Sequence, residues 1–123
     1  MAVRILIVED DVLNRMFYKA VFEDRGYETE LVDDGAQVLE RVASFQPDLI
    51  TMDIQLPHVS GGRLIRALRK DKATKHIPVI AITAFVGKEE EVAIRRAGAD
   101  AYLKKPVTID QLLEHVDAIM GKQ

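Results

Sequence analysis

Carboxylates stand just where short apolar runs end in this chain: Glu9 and Asp10 follow Arg4-Ile5-Leu6-Ile7-Val8, and Asp53 follows Leu49-Ile50-Thr51-Met52. Another run, Ile77-Pro78-Val79-Ile80-Ala81-Ile82, ends in Thr83-Ala84, and Ala101-Tyr102-Leu103 runs into Lys104-Lys105-Pro106. If these ends meet, Glu9, Asp10, Asp53, Thr83 and Lys105 share one site. Carboxylates packed together repel, by about 4 kcal/mol for a like-charged pair at ~4 Å and an effective dielectric near 20. Such a cluster implies a cation. Carboxylate oxygens with neither His nor Cys beside them favour Mg2+ over zinc, and Mg2+ commonly joins one or two carboxylates to a phosphate. Lys105 adds a fixed positive charge and Thr83 a hydroxyl donor, both suited to phosphoryl oxygens. The set is suited to placing a phosphoryl group on a carboxylate. Taken singly, Asp53 could instead cap the turn after it, Glu9 and Asp10 could cap a helix, and Lys105 could form a plain salt bridge.

The elements that must position these residues follow from the hydropathy pattern. Four-residue apolar runs are too short for ordinary helices and suit strands buried on both faces. Tyr27 to Val32 alternates polar and apolar, which suits an edge strand. Between the strands the spacing predicts helices. The first is capped by Asp11 and runs to about Arg25 with Leu13, Phe17, Tyr18, Val21 and Phe22 inward, closed by Gly26. The second is a short helix over about Ala36 to Ser44, buried through Val38, Leu39 and Val42. A Pro- and Gly-rich loop through Gly61-Gly62 precedes a third over about Arg63 to Lys70, with Arg63, Arg66, Arg69 and Lys70 facing solvent. A fourth spans Lys88 to Ala97 before Gly98. The last opens on a capping box, Thr108 with Gln111. Strands alternating with helices predict an α/β doubly wound fold with a parallel sheet covered on both faces. Placing the polar second strand at an edge selects the order 2-1-3-4-5, the flavodoxin-like (βα)5 arrangement, whose ligand crevice lies at the carboxyl ends of strands 1 and 3.

Size and composition narrow the function classes. A chain of 123 residues reads as one domain, 1–123, large enough for a core without metal or disulfide support. A net charge of −3 argues against a nucleic-acid or membrane footprint. The chain has no cysteine, so thiolate chemistry and disulfides are excluded, which fits a reducing, cytoplasmic setting. Ile5 to Val8 is too short, and too acidic afterwards, for a signal peptide or membrane span. His58, His76 and His115 show no metal-ligand spacing.

With these residues in register, the chain resembles a response-regulator receiver domain of the CheY-like superfamily over essentially its whole length. The resemblance rests on Glu9-Asp10, Asp53, Thr83-Ala84, and Lys105-Pro106 with Tyr102 three residues earlier. The motifs Met52-Asp53-Ile54-Gln55-Leu56-Pro57 and Ala81-Ile82-Thr83-Ala84-Phe85 are similar to those of stand-alone regulators and of receivers in hybrid kinases. The resemblance implies that Asp53 is the phosphoacceptor, taking its group from a histidine kinase or histidine phosphotransferase. It implies that Asp10, Asp53 and the Gln55 backbone carbonyl ligate Mg2+, with Glu9 acting through water. Lys105 would neutralise the transferred group, and Thr83 and Tyr102 would switch together, the competing reading of Tyr102 being an ordinary sheet-edge aromatic. Downstream, a protein target would read the face formed by helix 4, strand 5 and helix 5, with the chain a monomer or weak dimer. The kinase would dock near the start of the first helix and the Lys105-Pro106-Val107 loop, where Asn14 is a candidate, as is Phe17, whose spacing also suits the core. Apolar Phe85, two residues after Thr83, cannot orient a hydrolytic water, which implies slow self-dephosphorylation and no true enzyme turnover. An aspartate-nucleophile phosphatase is the first competing class, but it wants a second acid where this chain has Gln55. A receiver-like module that binds partners without phosphorylation is the second, and no pocket residue is missing to favour it.

Overall fold

The computed structural model describes residues 2–84 and 87–121. Its elements run β1 (Arg4–Val8), α1 (Val12–Asp24), β2 (Glu28–Val32), a 3-10 turn (Gly35–Gln37) leading into α2 (Val38–Phe45), β3 (Leu49–Asp53), α3 (Gly61–Lys70), β4 (Val79–Thr83), α4 (Lys88–Ala97), β5 (Ala101–Lys104) and α5 (Ile109–Met120). All strand pairings are parallel, in the order β2-β1-β3-β4-β5 that the polarity of β2 predicts. β3 and β4 are buried throughout, as expected of strands covered on both faces. On β2, Glu28 is exposed, and Glu30 reaches Arg41 of α2 at 2.7 Å.

Strand alternation divides the core. Leu6 and Val8 of β1, Ile50 and Met52 of β3, and Val79 and Ala81 of β4 pack under α2, α3 and α4. Ile5, Ile7, Leu49, Ile80 and Ile82 face the other way, onto Tyr18, Val21 and Phe22 of α1 and Leu112 and Val116 of α5. Asp53 therefore shares the α1/α5 face with Leu49, and Thr83 shares the α4 face with Ala81. Because the strands are parallel, Glu9, Asp53, Thr83 and Lys105 all emerge at one edge.

The helix caps agree with the sequence. Asp11 Oδ2 accepts the Asn14 N–H at 2.9 Å, and Thr108 and Gln111 exchange both bonds of the capping box. Several expectations need correction. Leu13 is 79% exposed and Leu39 47%, because helical spacing names a stripe but not how wide a stripe the sheet can cover. β4 starts at Val79 rather than Ile77, since Ile77 donates into a turn to Thr74 and Pro78 has no N–H to donate. The loop expected to run through Gly61-Gly62 stops at Ser60, which caps α3 by accepting from the Arg63 N–H. Arg69, expected in solvent, is half-buried and clamps the opposite edge of the sheet. Its guanidinium donates to the carbonyls of Gly98 (3.0 Å), Ile77 (2.8 Å) and Lys75 (3.3 Å) and to the Asp100 carboxylate (3.0 Å).

Candidate functional site

Each acid reaches the carboxyl edge for a local reason. β1 ends at Val8, so Glu9 and Asp10 enter the crevice between strand and α1, and Asp11 then begins the helix. β3 ends on Asp53 itself, whose Oδ1 accepts the Gln55 N–H at 3.0 Å, an Asx turn that orients the carboxylate. From past β5, Lys105 extends its Nζ to within 3.2 Å of Asp53 Oδ2 and 3.1 Å of Glu9 Oε1. Glu9, Asp10 and Asp53 each present an oxygen, all within 4.8 Å of one another. Of the residues singled out from sequence, Glu9, Asp10, Asp53 and Lys105 thus meet.

The electrostatics show a cluster short of positive charge. Glu9 is 1% exposed, and burial first, then the Asp53 charge, push its carboxyl up to about 7, against the opposing pull of the Asp11 N–H and of Lys105. Burial pulls Lys105 down, but Asp53 and Glu9 outweigh it and hold its ammonium above the ordinary lysine value. Lys105 cannot satisfy every oxygen: Glu9 Oε1, although within ion-pair distance, accepts no hydrogen bond. A buried carboxylate oxygen that has an ion pair but no well-aligned hydrogen bond is incompletely compensated. Hard oxygens at this spacing, one with an open lone pair, fit an ion such as Mg2+ better than a softer metal.

Thr83 has no exposed surface, and its carbonyl accepts the Lys105 N–H at 2.8 Å, tying the ends of β4 and β5 together. Tyr102, opposite Ala81 in the β4–β5 register, lies half-buried on the same face as Thr83, next to α4. Burial, then Glu90 and Glu91, raise its phenol. Gln55 is exposed beside Asp53. Phe17 is half-buried against the α1/α5 core, 5.8 Å from the Tyr18 ring, in keeping with its core spacing. Phe85, on which the expectation of a slow hydrolysis rests, lies outside the described residues.

Other contributors were not legible in sequence. Arg15 donates to the carbonyls of Glu9 (3.3 Å) and Asp10 (3.2 Å), so it fixes the acid pair through its backbone without neutralising the carboxylates. Its position four residues after Asp11, on the turn of α1 facing the strand end, was the available signal. Tyr18 is buried near enough that, after burial itself, Glu9, Asp53 and Asp11 raise its phenol further, so it stays neutral. Gly61 is more demanding. A Cβ there would lie 2.7 Å from Ile54 Cα and 2.8 Å from the Asp53 carbonyl oxygen, and its N–H donates to the Ile54 carbonyl at 3.0 Å. Gly61 thus lets α3 press closely on the backbone after Asp53.

Comparison with known proteins places this geometry. Residues 5–117 match the response regulator receiver domain family. The polar-differentiation response regulator DivK of Brucella ovis is 41% identical over 117 residues, covering 95% of each chain. A CheY-like receiver domain protein from Methanospirillum hungatei superposes with a TM-score of 0.90 at 32% identity, over 98% of this chain and 94% of that one. The receiver domain of the sensor histidine kinase PA1611 from Pseudomonas aeruginosa, with a magnesium ion coordinated in its active-site cleft, superposes with a TM-score of 0.86 at 30% identity, over 94% of this chain and 95% of its own. With its strand order, its edge of acids and lysine, and its relatives in agreement, the chain belongs to the response-regulator receiver domains of two-component signalling.

Proposed function

We propose that Asp53 accepts a phosphoryl group from the phosphohistidine of a kinase or phosphotransferase, and that the resulting acyl phosphate biases a protein-binding surface between two conformers. The observation that carries this reading is the meeting of three carboxylates, Glu9, Asp10 and Asp53, with the single ammonium of Lys105. An Asp53 oxygen forms the new O–P bond as the donor's N–P bond breaks, and the leaving imidazole takes up a proton. Asp10, Asp53 and the Gln55 carbonyl would hold Mg2+, with Glu9 acting through water. Bound there, the ion would offset the charge of the incoming phosphoryl oxygens. Lys105, already 3.2 Å from Asp53, is placed to follow one of those oxygens. Loss of the phosphoryl group to water would be slow, making the domain a switch rather than a turnover enzyme.

A phosphoryl group shifts an equilibrium only by contacts that differ between its states. Thr83 and Tyr102 support such a link, because strand alternation sets both on the α4 face, with Tyr102 opposite Ala81. The readout surface would then be α4, β5 and α5. Kinase docking fits the other side of the site. Val12, Leu13 and Met16 of α1 and Ile109 of α5 are exposed apolar residues beside the acids, and a groove of about 390 Å3 runs between these helices over Phe17, Val21 and Leu113. The test is phosphoryl labelling from a small acyl phosphate donor with Mg2+ present. Wild type should label stoichiometrically and Asp53→Ala not at all. Absence of labelling in a folded wild-type protein would reduce the domain to a binding module.

A further inference from the structure

The three acids of the site are not held equally. Asp53 accepts the Gln55 N–H and lies 3.2 Å from the Lys105 ammonium, and Glu9 accepts the Asp11 N–H at 3.1 Å while sharing that ammonium. Asp10 is exposed at the rim, and among the described residues its carboxylate accepts no hydrogen bond and makes no ion pair. Its backbone carbonyl is engaged instead, by Arg15 Nη1 at 3.2 Å. Where the Asp10 side chain points is therefore set by its peptide, and Arg15 holds that peptide. The same nitrogen reaches the Glu9 carbonyl at 3.3 Å and lies 3.8 Å from Asp33 Oδ2 in the loop after β2. The Arg15 N–H donates to the Asp11 carbonyl at 2.9 Å, so this residue closes the first turn of α1, where the positive end of a helix disfavours a cation. Side chains on a helix lean toward its start, which carries the guanidinium back over the end of β1. There the Arg15 side chain is only 18% exposed.

We propose that Arg15 is the positioning residue of the metal site: by bracing the Glu9 and Asp10 carbonyls it aims the otherwise unheld Asp10 carboxylate at the ion, and Asp33 holds Arg15 in place. The inference rests on the reading of the acids as a Mg2+ site and deepens it. Groups that orient a ligand without touching the metal commonly govern affinity as strongly as the ligands do. Charge alone gives the opposite sign. A cation next to three carboxylates weakens their pull on a divalent ion, so deleting it would tighten binding. Positioning requires that deleting it loosen binding.

The test titrates Mg2+ into the full chain at physiological ionic strength, followed by calorimetry and by amide NMR shifts. Arg15→Met, of similar length but without donors or charge, should bind Mg2+ about tenfold more weakly. Arg15→Lys keeps the charge on a side chain one bond shorter and should recover part of that loss. Asp33→Asn, an exposed change, should weaken Mg2+ about threefold in the wild-type background and not at all in Arg15→Met, because it acts through the arginine. Labelling of Asp53 in Arg15→Met should need about tenfold more Mg2+ yet reach the wild-type rate at saturation, a split that a merely structural arginine would not produce. Denaturant melts in chelator show which variants are folded, and if Arg15→Met is not, Arg15→Lys takes its place in the cycle with Asp33→Asn. The proposal is overturned if folded Arg15→Met binds Mg2+ as tightly as wild type or more tightly, or if Asp33→Asn costs the same with and without Arg15. A wild-type protein that binds no Mg2+ would overturn the metal-site reading itself, and this inference with it.

Discussion

At the carboxyl edge of the sheet Glu9 and Asp53 share Lys105, Asp10 adds a third carboxylate beside them, and one buried oxygen of Glu9 accepts no hydrogen bond among the described residues. At the amino edge Arg69 sits among acceptors that take up its donors in good geometry: the carbonyls of Gly98, Lys75 and Ile77, and Asp100, which also accepts the Val79 N–H at 2.9 Å. Both are partly buried ionic clusters spanning loops far apart in sequence. The difference is satisfaction. A completed network holds segments together, whereas an incomplete one stores repulsion that a ligand can relieve. Incomplete polar networks in an otherwise consistent fold point to function, which is why the acids and not Arg69 carry the proposed phosphoacceptor site.

That contrast can be broken from the amino edge first. Arg69→Ala should destabilise the fold by about 3 kcal/mol in urea melts, since it strands carbonyls from separate loops, while leaving Asp53 able to be labelled wherever the protein is folded. Arg69→Lys should recover little, because one ammonium cannot span the same fork. Next comes Gly61→Ala. Its Cβ would collide with backbone, so a loss of between about 2 and 3 kcal/mol is expected, together with slower labelling of Asp53 as the Asp53-Ile54 segment moves.

The carboxyl edge predicts a pH effect of the opposite sign from that of an ordinary paired carboxylate. Glu9, with its folded pKa raised to about 7 from 4.5, binds its proton more tightly in the folded state. In chelator, its contribution to stability should therefore rise as pH falls from about 7 to about 4.5, and be lost as pH climbs through 7. Glu9→Gln should remove that slope and stabilise the metal-free protein at neutral pH by on the order of 2 kcal/mol. Denaturant melts at a series of pH values read both. The smallest effect belongs to Thr51, whose buried hydroxyl on β3 has no hydrogen-bond partner. Thr51→Val should stabilise by about 1 kcal/mol with no change in labelling, separating a mere structural orphan from the one on Glu9.

The strands were readable because runs buried on both faces must be continuously apolar, and the site was readable because parallel strands deliver their last residues to one edge. Arg69 was not. Three of its four acceptors are backbone carbonyls, which no side-chain pattern announces, and its helical position resembles those of Arg63 and Arg66 in solvent. Leu13 and Leu39 misled for a related reason: periodicity gives the direction of a helix face, but the neighbouring element decides how much of that face is covered.

The order of residues along the chain was enough by itself to determine the alternation of strands and helices, the edge placement of β2, and the identity of the acids and lysine at the strand ends. Those features follow from local polarity, and a parallel sheet turns local polarity into position. Only the folded molecule decided which charges are satisfied. Hydrogen-bond partners come from segments tens of residues apart, and burial, which sets how much an unmet partner matters, exists only once the layers have closed.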